Sequence, residues 1–177
     1  NEQYKVIGNL PYYAALPIIR RFLEANHKPN SMIVMVQKEV AQNMQASSGQ
    51  MNLLSVAVQL FSNPKIIGYV PPKAFKPQPK ITSAIVKLEV FKKPVLELDS
   101  LDDFFKVVKA GFSTKRKQLK NSLSNQLNIS NIEAEKLLLA VSIDPKRRAQ
   151  TLTIKEWGRL YNIWSLNYRN VELKSLR

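Results

Sequence analysis

The chain has 177 residues, 45% hydrophobic and 23% charged, with 27 Lys and Arg against 13 Asp and Glu for a net charge of +14. That length allows one or two domains with a sizeable core, and the balance of apolar and charged residues is that of a soluble protein. The absence of Cys excludes disulfides and thiolate metal sites and fits a reducing, cytoplasmic compartment, while a single histidine, His27, argues against a zinc site or a catalytic triad.

Tyr4-Lys5-Val6-Ile7 opens the ordered pattern as a short strand over 4–8, followed by the polar turn Gly8-Asn9-Leu10-Pro11-Tyr12-Tyr13. Leu16, Ile18, Ile19, Phe22 and Leu23 then give a helix from about Ala15 to Ala25, with Pro17 in the first turn where its missing N–H is harmless. Asn26 to Asn30 is polar, holds Pro29 and reads as a loop. Ser31 to Val36 is a continuous apolar run that fits a central parallel strand, and Gln37-Lys38-Glu39-Val40 opens a short helix toward Met44. After the break at Ser47-Ser48-Gly49, Leu53, Leu54, Val56, Ala57, Leu60 and Phe61 form a second helix pattern that Asn63-Pro64 should end. Lys65 to Val70 reads as a strand. Residues 71–80 carry four prolines and three lysines, so they suit neither a helix nor a central strand. Thr82 to Phe91 alternates with period two and is a strand.

Beyond residue 98 the strand signals stop. Leu101, Phe104, Phe105 and Val108 make a helical stripe with Ser100, Asp102 and Asp103 at its start. Ser130-Asn131-Ile132-Glu133 and Thr153-Ile154-Lys155-Glu156 are capping-box patterns, each preceding apolar residues at helical spacing. The expected organisation is therefore an α/β part over 1–98 and a small all-α part over 99–177. No apolar run reaches 18 residues, so no membrane-spanning segment is expected. The chain lacks an initiator Met and enters a strand within a few residues, as a piece of a longer protein without its beginning would.

Three segments can carry chemistry. An Asn and a Tyr at the carboxyl end of a strand can hold a flat base with an exocyclic amine. The Asn9 carbonyl oxygen and the Pro11 carbonyl would accept the two amine hydrogens, and Tyr12 would stack on the ring. On its own, however, Asn-x-Pro-Tyr is usually a turn, with Asn capping and Pro fixing φ. Phe75, on the stiff loop with Lys73, Lys76 and Lys80, is either a second stacking face beside phosphates or the buried anchor of a connector. Lys115, Arg116, Lys117 and Lys120 form a cationic run without an acid, and Lys146-Arg147-Arg148 form another at the next helix junction. Arg suits phosphate bidentately and Lys adds point charge. Residues 1–98 carry 12 basic against 5 acidic side chains and residues 99–177 carry 15 against 8, so each part is +7. Basicity spread this evenly points to a polyanion, RNA or DNA before an anionic membrane. The five glycines are isolated, so there is neither a G-x-G-x-x-G nor a P-loop, and nothing here cradles a nucleotide-like cofactor alone.

These blocks, in order, resemble the ribosomal RNA adenine N6,N6-dimethyltransferases of the small-subunit, 16S-type (KsgA-type) branch. The resemblance rests on Ile7 to Tyr13, Val36 to Ala41, Leu54-Ser55-Val56 with Gln59, Val70 through Phe75 and Lys80 to Ala84, Phe112 with Lys115 to Asn121, and Ile143-Asp144, Arg147-Arg148, Leu152 and Trp157. It implies the C-terminal half of a Rossmann-like methyltransferase sheet followed by a helical RNA-binding domain. It also implies S-adenosylmethionine as donor, no metal, and two adjacent adenines of small-subunit rRNA in a 30S particle as acceptors, with the protein a monomer. Carried over by motif, Asn9, Leu10, Pro11 and Tyr12 form the catalytic turn, Tyr12 and Phe75 stack on the base, and Asn9 also borders the donor. The glycine-rich donor loop would precede residue 1, so the fragment alone would be inactive. Departures at Ala14-Ala15 and Met51-Asn52 touch loop shape and leave the amine-binding atoms in place. Two other readings are a large-subunit relative, which more often has Ile in place of Leu10 and lacks the Lys115–Asn121 pattern, and a non-catalytic ribosome-assembly module.

Overall fold

A computed structural model describes the backbone of residues 3–174 and the side chains of residues 3–167. The chain divides into two compact units, Asn1–Ala46 with Leu54–Val95, and Ser47–Leu53 with Leu96–Arg177. Residues 47–53 thus join the helical unit, where the Gly49 and Met51 N–H groups both donate to the Gln150 carbonyl, at 2.9 and 3.1 Å.

The first unit runs β1 (Lys5–Asn9), α1 (Ala15–Glu24), β2 (Ser31–Gln37), α2 (Lys38–Met44), α3 (Leu53–Gln59), β3 (Ser62–Val70), a 3₁₀ turn (Pro72–Ala74) and β4 (Ser83–Val90). Its sheet has the order β1-β2-β4-β3. β2 is central, as its apolar run implies, with Met32, Val34 and Val36 buried. It is parallel only to β1, because β4 enters between β2 and β3 and runs antiparallel to both. Ala84, Val86 and Leu88 of β4 are fully buried and complete the core face. Each large aliphatic side chain placed there contributes about 1.5–3 kcal/mol.

Asn63-Pro64 does not end a helix. α3 stops at Gln59, whose side chain donates to the Met44 and Ala46 carbonyls at 2.8 and 2.9 Å, and Pro64 lies inside β3 opposite Leu88. An edge strand tolerates the missing N–H on its outer side. β3 is further broken by an irregularity between Ile66 and Gly68. The proline-rich stretch contains one short 3₁₀ turn, closed by the Ala74 N–H on the Pro71 carbonyl at 3.0 Å.

The helical unit contains α4 (Leu101–Phe112), α5 (Leu119–Leu127), α6 (Asn131–Ala140), a 3₁₀ turn (Ala149–Thr151) and α7 (Ile154–Lys174). The Ser100 hydroxyl caps α4 by accepting from the Asp103 N–H, and both expected capping boxes form. The core is aromatic. Trp157 and Phe104 are fully buried, and the Tyr161 hydroxyl accepts from the Ser100 N–H at 3.0 Å. Gly111 lets α4 approach α7 closely, since a Cβ there would lie 2.4 Å from the Trp157 ring.

Candidate functional site

One end of the sheet collects the polar residues. Asn9 ends β1 and pairs with Met35, Gln37 ends β2 opposite Ser83 at the start of β4, and Val70 ends β3 opposite the same Ser83. The connections 10–14 and 71–82 leave from this end, as expected for a site outside the carboxyl ends of parallel strands.

Asn9 is exposed, and its amide has no hydrogen-bond partner among the described residues. Leu10 is half-buried, folded back so that a Cβ on Gly8 would lie 3.0 Å from its side chain. Pro11 is exposed, and its carbonyl accepts from the Ala14 N–H at 2.9 Å, closing the turn that leads into α1. That bond uses one lone pair of the oxygen proposed for the substrate amine and leaves one. Tyr12 is half-buried, and its hydroxyl lies 2.7 Å from the Ser83 Oγ, a serine with no exposed surface. Tyr13 is 91% exposed. The turn is therefore an open feature with a free acceptor at one end and an anchored ring at the other.

Phe75 is half-buried on the loop after β3, with Lys73, Lys76 and Lys80 exposed around it. Sequence reasoning did not single out Ser83 as a site residue. A serine at a core-facing position of an alternating strand was the available signal, because a buried hydroxyl needs a partner.

In the helical unit the two cationic runs come together. The Leu119 N–H donates to the Arg147 carbonyl at 2.7 Å, tying the loop before α5 to the loop before α7. Lys115, Arg116, Lys117, Lys146 and Arg148 are exposed on these two loops. Two of the expected RNA contacts are otherwise engaged. Lys120 pairs with Glu135 at 3.0 Å. The Arg147 guanidinium binds both carboxylate oxygens of Glu156 and, through Nε and Nη2, the hydroxyl and carbonyl of Thr151. Most of its fork is spent inside the protein, and the Arg147 guanidinium is the main cause that holds the Glu156 carboxyl down at about 2.

Among the described residues no group of His, Asp or Glu converges as a metal site. No helix among them is long and apolar enough to cross a membrane.

The geometry defines an open α/β sheet with a polar-and-aromatic turn at a strand end, a Rossmann-like arrangement. Two solved structures share it. A dimethyladenosine transferase from Plasmodium falciparum has a TM-score of 0.79 at 20% identity, over 94% of this chain and 68% of that one. The 23S rRNA methyltransferase ErmE has a TM-score of 0.67 at 23% identity, over 92% and 65%. Residues 1–164 match the ribosomal RNA adenine dimethylase family, and the chain belongs to it. It is 47% identical over 160 residues to the ribosomal RNA small subunit methyltransferase A of Dehalococcoides mccartyi, covering 90% of this chain and 55% of that protein. The chain thus spans about half the length of the curated relatives it matches.

The family uses S-adenosylmethionine as co-substrate. Of the residues present, the exposed Asn9 amide, without a hydrogen-bond partner among the described residues, suits the edge of such a donor site.

Proposed function

We propose that this chain carries the acceptor-base turn and the RNA-holding helices of an rRNA adenine N6,N6-dimethyltransferase acting on two adjacent adenines of small-subunit rRNA. The observation that carries the reading is the exposed Asn9 amide beside a Tyr12 ring fixed by Ser83, in a chain of this family. The identity to the Dehalococcoides mccartyi methyltransferase supports the small-subunit substrate.

S-adenosylmethionine supplies an electrophilic sulfonium methyl. An adenine must leave its stack to reach the turn. Asn9 Oδ1 accepts one amine hydrogen and the remaining lone pair of the Pro11 carbonyl accepts the other, so the nitrogen lone pair faces away from the protein edge. Tyr12 covers one face of the base and Phe75 the other. No strong general base would be required of this chain: a neutral amine that took the methyl would become a cationic amine acidic enough to pass its proton to water. The exposed cations of the helical unit hold the RNA backbone. The partner is the 30S particle, the protein acts as a monomer in the cytoplasm, and the lack of Cys supports that compartment.

The test is a chimera in which this chain replaces the matching segment of the Dehalococcoides mccartyi relative. Methyl transfer to unmodified 30S particles is expected, with a loss of at least about a hundredfold for Asn9→Ala. Equal activity in both proteins removes Asn9 from the mechanism. Inactivity of the chimera with retained particle binding favours the assembly-factor reading.

A further inference from the structure

Beside the Asn9 turn the same end of the sheet opens a second cleft, of about 240 Å³, lined by Gln37, Lys38, Glu39, Gln42, Ile81 and Thr82. None of these residues belongs to the turn. The cleft is nonetheless built onto it. Gln37 lies opposite Ser83, the residue that anchors Tyr12, and the Lys38 N–H donates to the Thr82 carbonyl at 3.0 Å, joining the two walls.

Its lining is mixed in a particular way. Gln37 and Gln42 bring amides, Glu39 a carboxylate, Lys38 an ammonium and Ile81 an apolar surface that is 42% exposed. Gln37, Glu39 and Gln42 have no side-chain partner among the described residues. The Lys38 ammonium is held 5.6 Å from the centroid of the Tyr69 ring, and Tyr69 is itself 54% exposed at the end of β3. At such an exposed site a cation over an aromatic face gains about 0.5–1 kcal/mol, a mild bias that leaves the ammonium able to turn to another partner.

One positive and one negative group make a poor site for a bare anion, and five polar side chains make a poor site for an acyl chain. The volume falls below the range for drug-sized ligands, about 300–1,000 Å³, so it admits a single base while the sugar and phosphate stay at the rim. An unstacked nucleotide satisfies the whole set: Ile81 meets the base face, the amides and carboxylate meet the base edge, and Lys38 meets a phosphate.

We propose that this cleft seats the ribonucleotide next to the one held at the Asn9 turn, and that it favours a base with an exocyclic amine. The preference follows from Glu39. An ionised carboxylate only accepts, so it pairs with the amine of adenine or cytosine and faces the carbonyl of uracil unfavourably. The proposal rests on the reading that the turn takes an RNA base.

The experiment measures binding of the chain, by fluorescence anisotropy, to a small-subunit rRNA hairpin that carries the acceptor adenine. The nucleotide beside that adenine is adenosine, uridine or abasic, placed on the 5′ side in one set and the 3′ side in another. Glu39→Ala and Gln42→Ala, both at exposed positions of α2, are expected to weaken the adenosine-flanked hairpin about five- to tenfold on one side. The abasic and uridine hairpins should change by less than about twofold. Lys146→Ala should weaken all hairpins alike and serves as the control for backbone binding. Equal losses on every hairpin, or none, overturn the cleft while leaving the RNA reading intact. A chain that binds no hairpin overturns the RNA reading, and the cleft with it.

Discussion

A phenol whose hydroxyl lies 2.7 Å from a fully buried serine cannot swing its ring without breaking that bond. On the proposed reading Ser83 acts through Tyr12, as a positioning residue. In the chimera, Tyr12→Phe and Ser83→Ala should each lower kcat for methyl transfer about tenfold, the worth of one hydrogen bond of about 1.4 kcal/mol. The double variant should be no worse than either single one, because the two changes remove the same bond. RNA affinity of the chain should stay within about twofold. Additive losses would give the two residues separate roles. Asn9 and Tyr12 were legible in the sequence because turn chemistry is local: an amide, a proline and a ring within four positions. Ser83 was not, since 71 residues separate it from its partner and only the folded sheet joins them. Arg147 shows the converse limit. A charge run says that cations are present, but not which of them turns inward to a carboxylate.

At the scale of the element, the start of α7 shows how a local pattern acquires a long-range purpose. Thr153 and Glu156 cap each other's backbone N–H, and the same carboxylate takes the Arg147 fork. The folded carboxyl sits at about 2, below its ordinary 4.5, chiefly through the hydrogen bond from Arg147. A depressed carboxylate stabilises fully above its ordinary value, and that contribution disappears as pH falls toward 2. Glu156→Gln should therefore destabilise the protein by about 2 kcal/mol at pH 7. The gap in thermal unfolding between the two proteins should narrow between pH 4.5 and pH 2, and a gap independent of pH would refute the assignment. Most helices, the caps of α4, α6 and α7, and most strands could be read from periodicity and cap residues, whereas α5 was hidden behind a cationic run with no cap residue at its start. The placement of β4 between β2 and β3 could not, because strand order is set by pairing between distant segments. Pro64 misled for a related reason: its meaning depends on whether the strand beside it has a neighbour on both sides.

Across the whole molecule, net charge was the most informative single number, and the structure separates the cations that face solvent from those that do not. Lys115, Arg116, Lys117, Lys146 and Arg148 are exposed, while Lys120 and Arg147 are paired. The slope of log affinity against log salt for the rRNA hairpin should therefore fall by about one for Arg116→Ala and by about one for Lys146→Ala. Arg147→Ala should lower the unfolding temperature and leave the slope unchanged. If Arg147→Ala alters the slope as much as Arg116→Ala does, the guanidinium reaches RNA despite its carboxylate. The two margins of the sheet also have unequal fates. β3 carries Pro64, Lys65 and an irregular step, which make its outer side a poor template. β1 has the exposed Lys5 at its start, and beyond it Ile7 is 80% exposed beside the small Gly8. Where Pro64 turns a stray extended segment away from β3, β1 has only Lys5 to do so, and Ile7→Lys should therefore lower any light-scattering signal of association in concentrated solution.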